Sequence, residues 1–144
     1  MRKPRVIVLD DEPFVLDMLG RFFDQRGYEV LSYAEPVICP LYEKCAESCE
    51  KVVPCADVVI TDLKMPKMSG IELLERQTKR GCKLDVRNKA VISGHFEEGS
   101  IRKIDGMGCA RFEKPFGLSA LSGWLRECEQ RIDLSQPLNA LEQR

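Results

Sequence analysis

The chain has 144 residues, enough for one domain with a proper core, and its composition is that of an ordinary globular protein. Lys and Arg number 22 against 23 Asp and Glu, and this balance excludes the strongly basic charge typical of nucleic-acid-binding proteins. No apolar run approaches the roughly 18 residues of a membrane span, and the one near the amino terminus is too short for a signal peptide. We therefore expect a cytoplasmic protein without a membrane or nucleic-acid partner.

Five short segments have the apolar, β-branched character of strands. Three of them are continuous apolar runs and are predicted to be buried on both faces, whereas the second alternates and is predicted to lie at a sheet edge. In chain order, the predicted strands are Val6–Leu9, Tyr28–Tyr33, Val58–Ile60, Ala90–Ile92 and Ala110–Phe112.

Helical patterns lie between and after these strands. The first begins at Pro13, which suits a first helical position, and ends before Gly27. Another opens after Ser69-Gly70, and the last runs from about Gly117 to Arg131 with apolar residues at helical spacing. Strands that alternate with helices predict right-handed βαβ units and a parallel sheet.

A local basic run lies between the third and fourth predicted strands. It is predicted to be a solvated loop face rather than a binding site. Its members are Lys79, Arg80, Lys83, Arg87 and Lys89.

Polar side chains stand at the carboxyl ends of four predicted strands. Asp10 and Asp11 follow the first strand, Asp62 the third, Ser93 the fourth and Lys114 the fifth. Taken singly, each has an ordinary explanation as a helix cap, a turn residue or a solvated cation. The carboxyl ends of parallel strands share one edge of the sheet, where ligands bind. The joint placement therefore predicts that these side chains form a site.

The chemistry of such a group follows from its charges. Crowded carboxylates repel one another, so either one of them is protonated or the cluster recruits a cation. Mg²⁺ (or Mn²⁺) suits the cluster, because Mg²⁺ commonly takes one or two carboxylates together with phosphate oxygen and water. A further carboxylate can then act as a nucleophile toward phosphorus, while a lysine and a hydroxyl stabilise the charge. The cluster therefore predicts metal-dependent formation of an aspartyl phosphate.

Four motifs, in this order and spacing, resemble the receiver domain of bacterial two-component response regulators over nearly the whole chain. The resemblance implies an α/β, flavodoxin-like fold with a doubly wound five-stranded parallel sheet in the order 2-1-3-4-5. The motifs are Val-Leu-Asp10-Asp11-Glu-Pro, Val-Ile-Thr-Asp62-Leu-Lys-Met-Pro-Lys-Met-Ser-Gly70, Val-Ile-Ser93-Gly-His and Phe-Glu-Lys114-Pro-Phe.

The resemblance also implies a role for each matching residue of the metal site. Asp62 is the phosphoacceptor. Asp11 binds Mg²⁺ directly, and Asp10 binds it mainly through water. The backbone carbonyl of Lys64 completes the metal site.

Further roles follow from the same resemblance. Ser93 is the hydroxyl that moves toward the phosphoryl group, and Lys114 is its salt-bridging lysine, followed by a cis peptide bond. The family usually has an aromatic ring three residues before that lysine, and here the residue is Arg111. We expect Arg111 to stay near the surface and to pair with an acidic group, since burying an unpaired guanidinium is costly. From their positions, two residues after Asp62 and two after Ser93, Lys64 and His95 should flank the path of an attacking water and slow dephosphorylation. For His95, the single histidine, a surface loop position without a catalytic role is the alternative.

We expect a signalling module rather than an enzyme. Its phosphoryl donor would be a sensor histidine kinase or a phosphotransfer protein. No output domain follows Lys114, so we expect a stand-alone receiver that controls an unknown output protein or forms a phosphorylation-dependent homodimer. An enzyme alternative is a haloacid-dehalogenase-type phosphatase, whose nucleophile lies in an Asp-x-Asp pattern after the first strand. Asp10-Asp11-Glu12 lacks that pattern.

The receiver domain is predicted to span residues 1–132, followed by a frayed tail of residues 133–144. It carries an insert at about residues 38–56, where a helix of about twelve residues is expected between Pro40 and Pro54.

The insert contains four cysteines, which leave two interpretations open. One is a staple by disulfide or metal, which would make the chain a receiver-scaffold metal or redox sensor, and the other is a set of plain loop thiols. A single straight helix cannot bring four sulfurs to one tetrahedral Zn²⁺, so both ends would have to fold back. The four are Cys39, Cys45, Cys49 and Cys55, whereas Cys82, Cys109 and Cys128 are predicted to be small hydrophobes.

Overall fold

A computed structural model describes residues 1–36, 49 and 52–140 of the chain. Its centre is an all-parallel sheet of five strands in the order β2-β1-β3-β4-β5. The predicted fold class and strand order are therefore confirmed, and each predicted strand is present within two residues of its expected ends. The strands are β1 (Arg5–Leu9), β2 (Glu29–Tyr33), β3 (Val58–Asp62), β4 (Lys89–Ser93) and β5 (Ala110–Glu113).

Four α-helices are present in the described part of the chain. None of them has the length and apolar character needed to cross a bilayer. They are α1 (Pro13–Gln25), α2 (Gly70–Lys79), α3 (Glu98–Met107) and α4 (Leu118–Gln130).

The sequence did not reveal α3, although it predicted the other three helices. The segment contains two glycines, which disfavour a helix, and its apolar residues are few. Ile101, Ile104 and Met107 do recur at intervals of three, and Ile104 is fully buried. That spacing was the signal that could have identified the helix.

The sheet separates two hydrophobic clusters, one on each face. Val6 and Val8 of β1 face the cluster formed with α1 and α4, whereas Ile7 and Leu9 face the cluster formed with α2 and α3. This alternation is the period-two geometry of a strand, and it explains why the central strands read as continuous apolar runs.

The amino edge of the sheet is held by ionic contacts of the first residues. The Arg2 guanidinium donates to both carboxylate oxygens of Asp57 at 2.6 and 2.9 Å. The Arg5 backbone N–H donates to the same carboxylate at 2.8 Å, and the Arg5 side chain pairs with Glu29. These contacts tie the start of β1 to the residue that precedes β3.

Residues 133–140 pack back onto this edge. The Asn139 side chain donates to the Val53 carbonyl at 2.7 Å, and its backbone N–H donates to the Pro54 carbonyl at 3.1 Å. The Arg5 guanidinium donates to the Asn139 carbonyl at 2.9 Å. The tail was predicted to be frayed, but these hydrogen bonds hold it as far as Asn139.

Lys89 differs from its predicted position on a solvated face. Its side chain is 1% exposed, and its Nζ donates to the Oε1 of Gln77 at 2.8 Å. Lys89 is the first residue of β4 and points toward α2, where its long apolar stem is covered. The exposed members of the basic run, Lys79, Lys83 and Arg87, lie on the surface as predicted.

Glu129 ties the end of α4 to the far end of α1. Arg26 donates to both of its carboxylate oxygens at 2.7 and 3.0 Å, and the Tyr28 hydroxyl donates at 2.7 Å. The hydrogen bond from Arg26 holds the pKa of Glu129 below its usual range, since it favours the ionised form.

We predict that Glu129→Gln lowers the free energy of unfolding by about 1 kcal/mol near neutral pH, a small value because water screens this half-exposed pair. A depressed pKa stabilises the fold above the unfolded pKa of roughly 4.3, and this contribution is lost as the pH falls below it. The difference between variant and wild type should therefore shrink in acid. Urea unfolding at several pH values measures the difference in the free energy of unfolding between Glu129→Gln and wild type. Glu127→Gln, at an exposed position of the same helix, is the control. A loss of stability in Glu129→Gln that is the same at every pH would contradict stabilisation by the ionised Glu129 carboxylate.

Candidate functional site

The carboxyl edge of the sheet brings together the side chains predicted to form a site. Leu9 at the end of β1 is level with Thr61 in β3, and Asp62 is level with Ile92 in β4. Residues that follow these positions therefore leave the sheet side by side, as expected of parallel strands.

Three carboxylates form the centre of this edge. One oxygen from each of Asp10, Asp11 and Asp62 lies within 4.8 Å of the other two, and no other such group of acidic, cysteine or histidine ligands occurs among the described residues. Asp10 and Asp62 are buried, whereas Asp11 is exposed. The Glu12 backbone N–H donates to Asp10 at 2.8 Å, which orients that carboxylate.

Lys114 reaches this cluster from the residue after β5. Its Nζ lies 3.1 Å from an Asp10 oxygen and 3.5 Å from an Asp62 oxygen. It also lies 3.1 Å from the carboxylate of Glu12. The Lys114 backbone N–H donates to the Ser93 carbonyl at 2.7 Å, and the peptide bond to Pro115 is cis, as the resemblance implied.

The charges at this edge do not balance. Burial, aided by the charge of Asp10, raises the pKa of Asp62 to about 6. Burial also raises the pKa of Asp10, although hydrogen bonds from Glu12 and Lys114 act in the opposite direction. One ammonium group thus faces several carboxylates. This surplus of negative oxygen ligands fits a divalent cation such as Mg²⁺.

A close approach of α2 fixes the backbone at Asp62. An added Cβ on Gly70 would lie 2.3 Å from the backbone carbonyl oxygen of Asp62, so only glycine fits there. The Gly70 N–H donates to the Leu63 carbonyl at 2.9 Å, and the Ser69 hydroxyl caps α2 by accepting from the Glu72 N–H. These contacts fix the start of the loop after Asp62.

Ser93 lies at the end of β4, buried and engaged in a turn. Its hydroxyl donates to the His95 carbonyl at 2.8 Å and accepts from the His95 N–H at 3.2 Å. The side chains of Lys64 and His95 are exposed and line one shallow groove between α2 and α3. The role of the Lys64 carbonyl as a metal ligand stays a prediction.

Glu12 is a site residue that the sequence reasoning did not single out. Glu12 belongs to the first motif and to the stretch that lacks the Asp-x-Asp pattern, and its carboxylate binds Lys114. Its position directly after two aspartates was the available signal.

Arg111 lies at the surface, as predicted. Its guanidinium pairs with the carboxylate of Asp105 in α3 at 3.1 Å, and its side chain is 40% exposed. Arg111 is level with Val91 in β4, whereas Ser93 is level with Glu113, so Arg111 lies two strand positions before the carboxyl edge of the sheet.

Two of the four insert cysteines, Cys39 and Cys45, lie outside the described residues. So does most of the stretch between Pro40 and Pro54 in which a helix is expected, but the described residues of that stretch, 49, 52 and 53, are not helical. The metal-or-disulfide staple therefore stays a prediction. Cys49 and Cys55 are partly buried.

The three cysteines predicted to be small hydrophobes differ among themselves. Cys109 and Cys128 are buried, and burial raises the pKa of each thiol to about 11, so they behave as predicted. Cys82 is only partly buried and lines a small cavity together with Cys49 and Cys55.

Residues 6–123 match the family model of the response regulator receiver domain. The chain therefore belongs to the receiver domain family of response regulators, which act in two-component phosphorelay signalling.

Curated relatives and solved structures agree with this assignment. The chain is 36% identical over 72 residues to the chemotaxis protein CheY of Treponema pallidum, which covers 50% of the chain and 46% of that protein. It is 29% identical to the protein-glutamate methylesterase/protein-glutamine glutaminase of Treponema denticola, over 81% of the chain and 30% of the relative. The chain spans less than half the length of the first curated relatives it matches.

Two solved structures share the fold. The crystal structure of FixJ-N superimposes with a TM-score of 0.69 at 22% identity, over 92% of this chain and 98% of the other. The beryllofluoride-activated NtrC4 receiver domain dimer gives a TM-score of 0.69 at 21% identity, over 88% and 97%.

We predict that Asp62→Asn stabilises the metal-free protein. At about pH 8 the buried, repelled carboxylate is ionised, so its removal should raise the free energy of unfolding by on the order of 1–3 kcal/mol. Because the pKa of Asp62 is raised in the folded protein, wild type gains stability as the pH falls through about 6. The difference in the free energy of unfolding between the variant and wild type should therefore narrow. Urea unfolding in the presence of a chelator, at several pH values, measures the free energy of unfolding of both metal-free proteins.

Asp11→Asn is the matched control for this measurement, because Asp11 belongs to the same cluster but is exposed. Its effect should be smaller. An Asp62→Asn variant that is less stable than wild type at about pH 8 would show that repulsion does not dominate this edge.

Proposed function

We propose that Asp62 accepts a phosphoryl group from a sensor histidine kinase or a phosphotransfer protein, with Mg²⁺ (or Mn²⁺) as cofactor. The observation that carries this proposal is the cluster of Asp10, Asp11 and Asp62 with Lys114 3.5 Å from the Asp62 carboxylate. A nucleophile, oxygen ligands for a metal and a cation for the transferred group thus share one edge.

Asp62 is suited to act as the nucleophile. A carboxyl group with a pKa of about 6 is mostly ionised at neutral pH. One oxygen of the Asp62 carboxylate attacks the phosphorus of the donor. The bond between the phosphorus and the donor breaks, and an acyl phosphate remains on Asp62. Asp10, Asp11 and Asp62 would hold the metal, with the Lys64 carbonyl, and the metal would supply positive charge to the phosphoryl oxygens.

The same residues can convert this modification into a conformational signal. A phosphoryl group on Asp62 brings new negative oxygens next to Lys114, which would exchange its contact with Glu12 for one with them. The Ser93 hydroxyl would leave its two hydrogen bonds to His95 and donate to the phosphoryl group. Both exchanges move the loops after β4 and β5, which are the route to a partner.

Signal output through another protein, or through a phosphorylation-dependent homodimer, is part of this proposal. The beryllofluoride-activated receiver domain of NtrC4 is a dimer, which supports the second route by analogy. The proposal also takes the chain to act in the cytoplasm as a signalling module without turnover of small substrates, in keeping with the receiver-domain match over residues 6–123.

We predict that small acyl phosphates, in the presence of Mg²⁺, add one phosphoryl group to the protein at Asp62. Intact-mass spectrometry with and without chelator measures the product. Asp62→Asn should abolish it, because the nucleophile is gone, and Lys114→Ala should slow it at least tenfold, since the transferred charge loses its cation. Asp17→Asn, an exposed aspartate of α1, is the control and should react like wild type. Labelling of the Asp62→Asn variant at the wild-type rate would refute the assignment.

We predict a different outcome for Arg111→Ala. Arg111 pairs with Asp105 outside the carboxylate cluster, so phosphorylation by acyl phosphates should proceed within about twofold of the wild-type rate. Partner binding or dimerisation of the phosphorylated form should weaken, because the surface loses a fixed cation. Phosphorylation kinetics and sedimentation velocity measure the two effects. Loss of phosphoryl transfer would instead place Arg111 in the reaction site.

A further inference from the structure

A small cavity of about 40 Å³ lies between α2, the sheet and the segment that precedes β3. Three cysteines line it: Cys49, Cys55 and Cys82. Most of the remaining wall is apolar, with Ile7 and Val59 from the sheet. This group of thiols lies at the opposite end of α2 from the phosphoacceptor loop and takes no part in the proposed phosphorylation.

Backbone contacts hold Cys49 beside Cys82. The Cys49 N–H donates to the Arg80 carbonyl at 2.6 Å, just after α2 ends. The chain then turns at Gly81, whose φ is +77°, and the Cys82 N–H donates back to the Gln77 carbonyl at 3.0 Å. Two residues span at most about 7 Å, and a turn shortens that span. Cys49 is thus hydrogen-bonded to the residue two positions before Cys82, and both cysteines line the same small cavity. This arrangement is compatible with the Cα separation of about 4–7 Å that a disulfide requires.

The third cysteine of the cavity is held differently. The Asn139 side chain donates to the sulfur of Cys55 at 3.3 Å, and Arg5 donates to the Cys55 carbonyl at 2.8 Å. In the described structure, the thiols of Cys49 and Cys82 are reduced. Among the described residues, the three cavity sulfurs do not form a group compact enough for one metal ion. A bond between two of them is therefore favoured over a metal site built from these three.

Two cations indicate which oxidant can reach the pair. Arg80 and Lys83 line the same cavity, on either side of Cys82 in sequence. Their positive charges attract an anionic small molecule to the partly exposed thiols. A low-molecular-weight disulfide that carries carboxylates, such as oxidised glutathione, fits this chemistry.

We propose that Cys49 and Cys82 form an intramolecular disulfide by exchange with such a small anionic disulfide. The thiolate of one cysteine attacks a sulfur of the small disulfide, which forms a mixed disulfide and releases one small thiol. The thiolate of the other cysteine then attacks the protein sulfur of the mixed disulfide and releases the second small thiol. The protein loses two electrons, and its two thiol protons end on the released thiols.

The bond would close a covalent ring that contains β3, Asp62 and α2. It would fix the segment before β3 to the end of α2, and a ring of this length restricts the unfolded chain. Oxidation is therefore a modification of the receiver that is chemically independent of phosphorylation, although the ring contains the phosphoacceptor.

Peptide mapping of the full chain tests the proposal. The protein is incubated with oxidised glutathione, its remaining thiols are alkylated, and it is digested with trypsin and a glutamate-specific protease. Cys49 is then the single cysteine of peptide 48–50, and Cys82 is the single cysteine of peptide 81–83. We expect these two peptides to be joined, and we expect reduction to separate them.

Variants distinguish this pair from other pairings. Cys49→Ser and Cys82→Ser should each remove the joined peptides, whereas Cys55→Ser and the buried Cys109→Ser should retain them. The oxidised wild type should also unfold at a higher urea concentration than the reduced protein, a shift that Cys82→Ser should lack.

Three outcomes would overturn the proposal: Cys49 joined to any cysteine other than Cys82, a mixed disulfide that persists without cross-linking, or no oxidation at all. Mapping of the wild-type protein decides among them even if a variant fails to fold. Because no phosphoryl donor is present, the result is independent of the function proposed for Asp62.

Discussion

The shortage of positive charge at the carboxyl edge of the sheet is the constraint on which the site depends. Asp10 and Asp62 are buried beside Asp11, and Lys114 contacts both buried carboxylates while it also binds Glu12. Burying ions without full compensation costs several kcal/mol per ion, so the cluster holds a strained charge balance. A divalent cation relieves that strain. Under the proposed function, a phosphoryl group on Asp62 would redistribute the contacts of Lys114 and so link the chemistry to a change of shape.

Helix α2 joins this edge to the opposite edge of the sheet. At its start, Gly70 lies against the Asp62 carbonyl so closely that no side chain fits. At its end, the Arg80 carbonyl accepts a hydrogen bond from Cys49. One rigid element thus has the phosphoacceptor loop at one end and the thiol cavity at the other. A shift of α2 along its axis would therefore move both the loop after Asp62 and the wall of the thiol cavity.

The apolar runs and helical patterns of the sequence predicted a parallel α/β fold and the main residues of the site, and the resemblance to receiver domains supplied the strand order. Buried parallel strands read as short apolar runs, and the residue after each run lies at the carboxyl edge by geometry alone. Asp10, Asp11, Asp62 and Lys114 could therefore be brought together without coordinates, although up to about a hundred residues separate them. The surface position of Arg111 followed from the cost of burying a guanidinium.

The neighbours of the remaining polar residues depend on tertiary packing. Lys89 is buried because its strand position points at α2, which a basic run in the sequence does not reveal. Asn139 docks onto the segment before β3, and Cys82 lies beside Cys49, through contacts between distant parts of the chain. Such contacts leave no local periodicity, because they depend on how elements pack and not on the pattern within any one element.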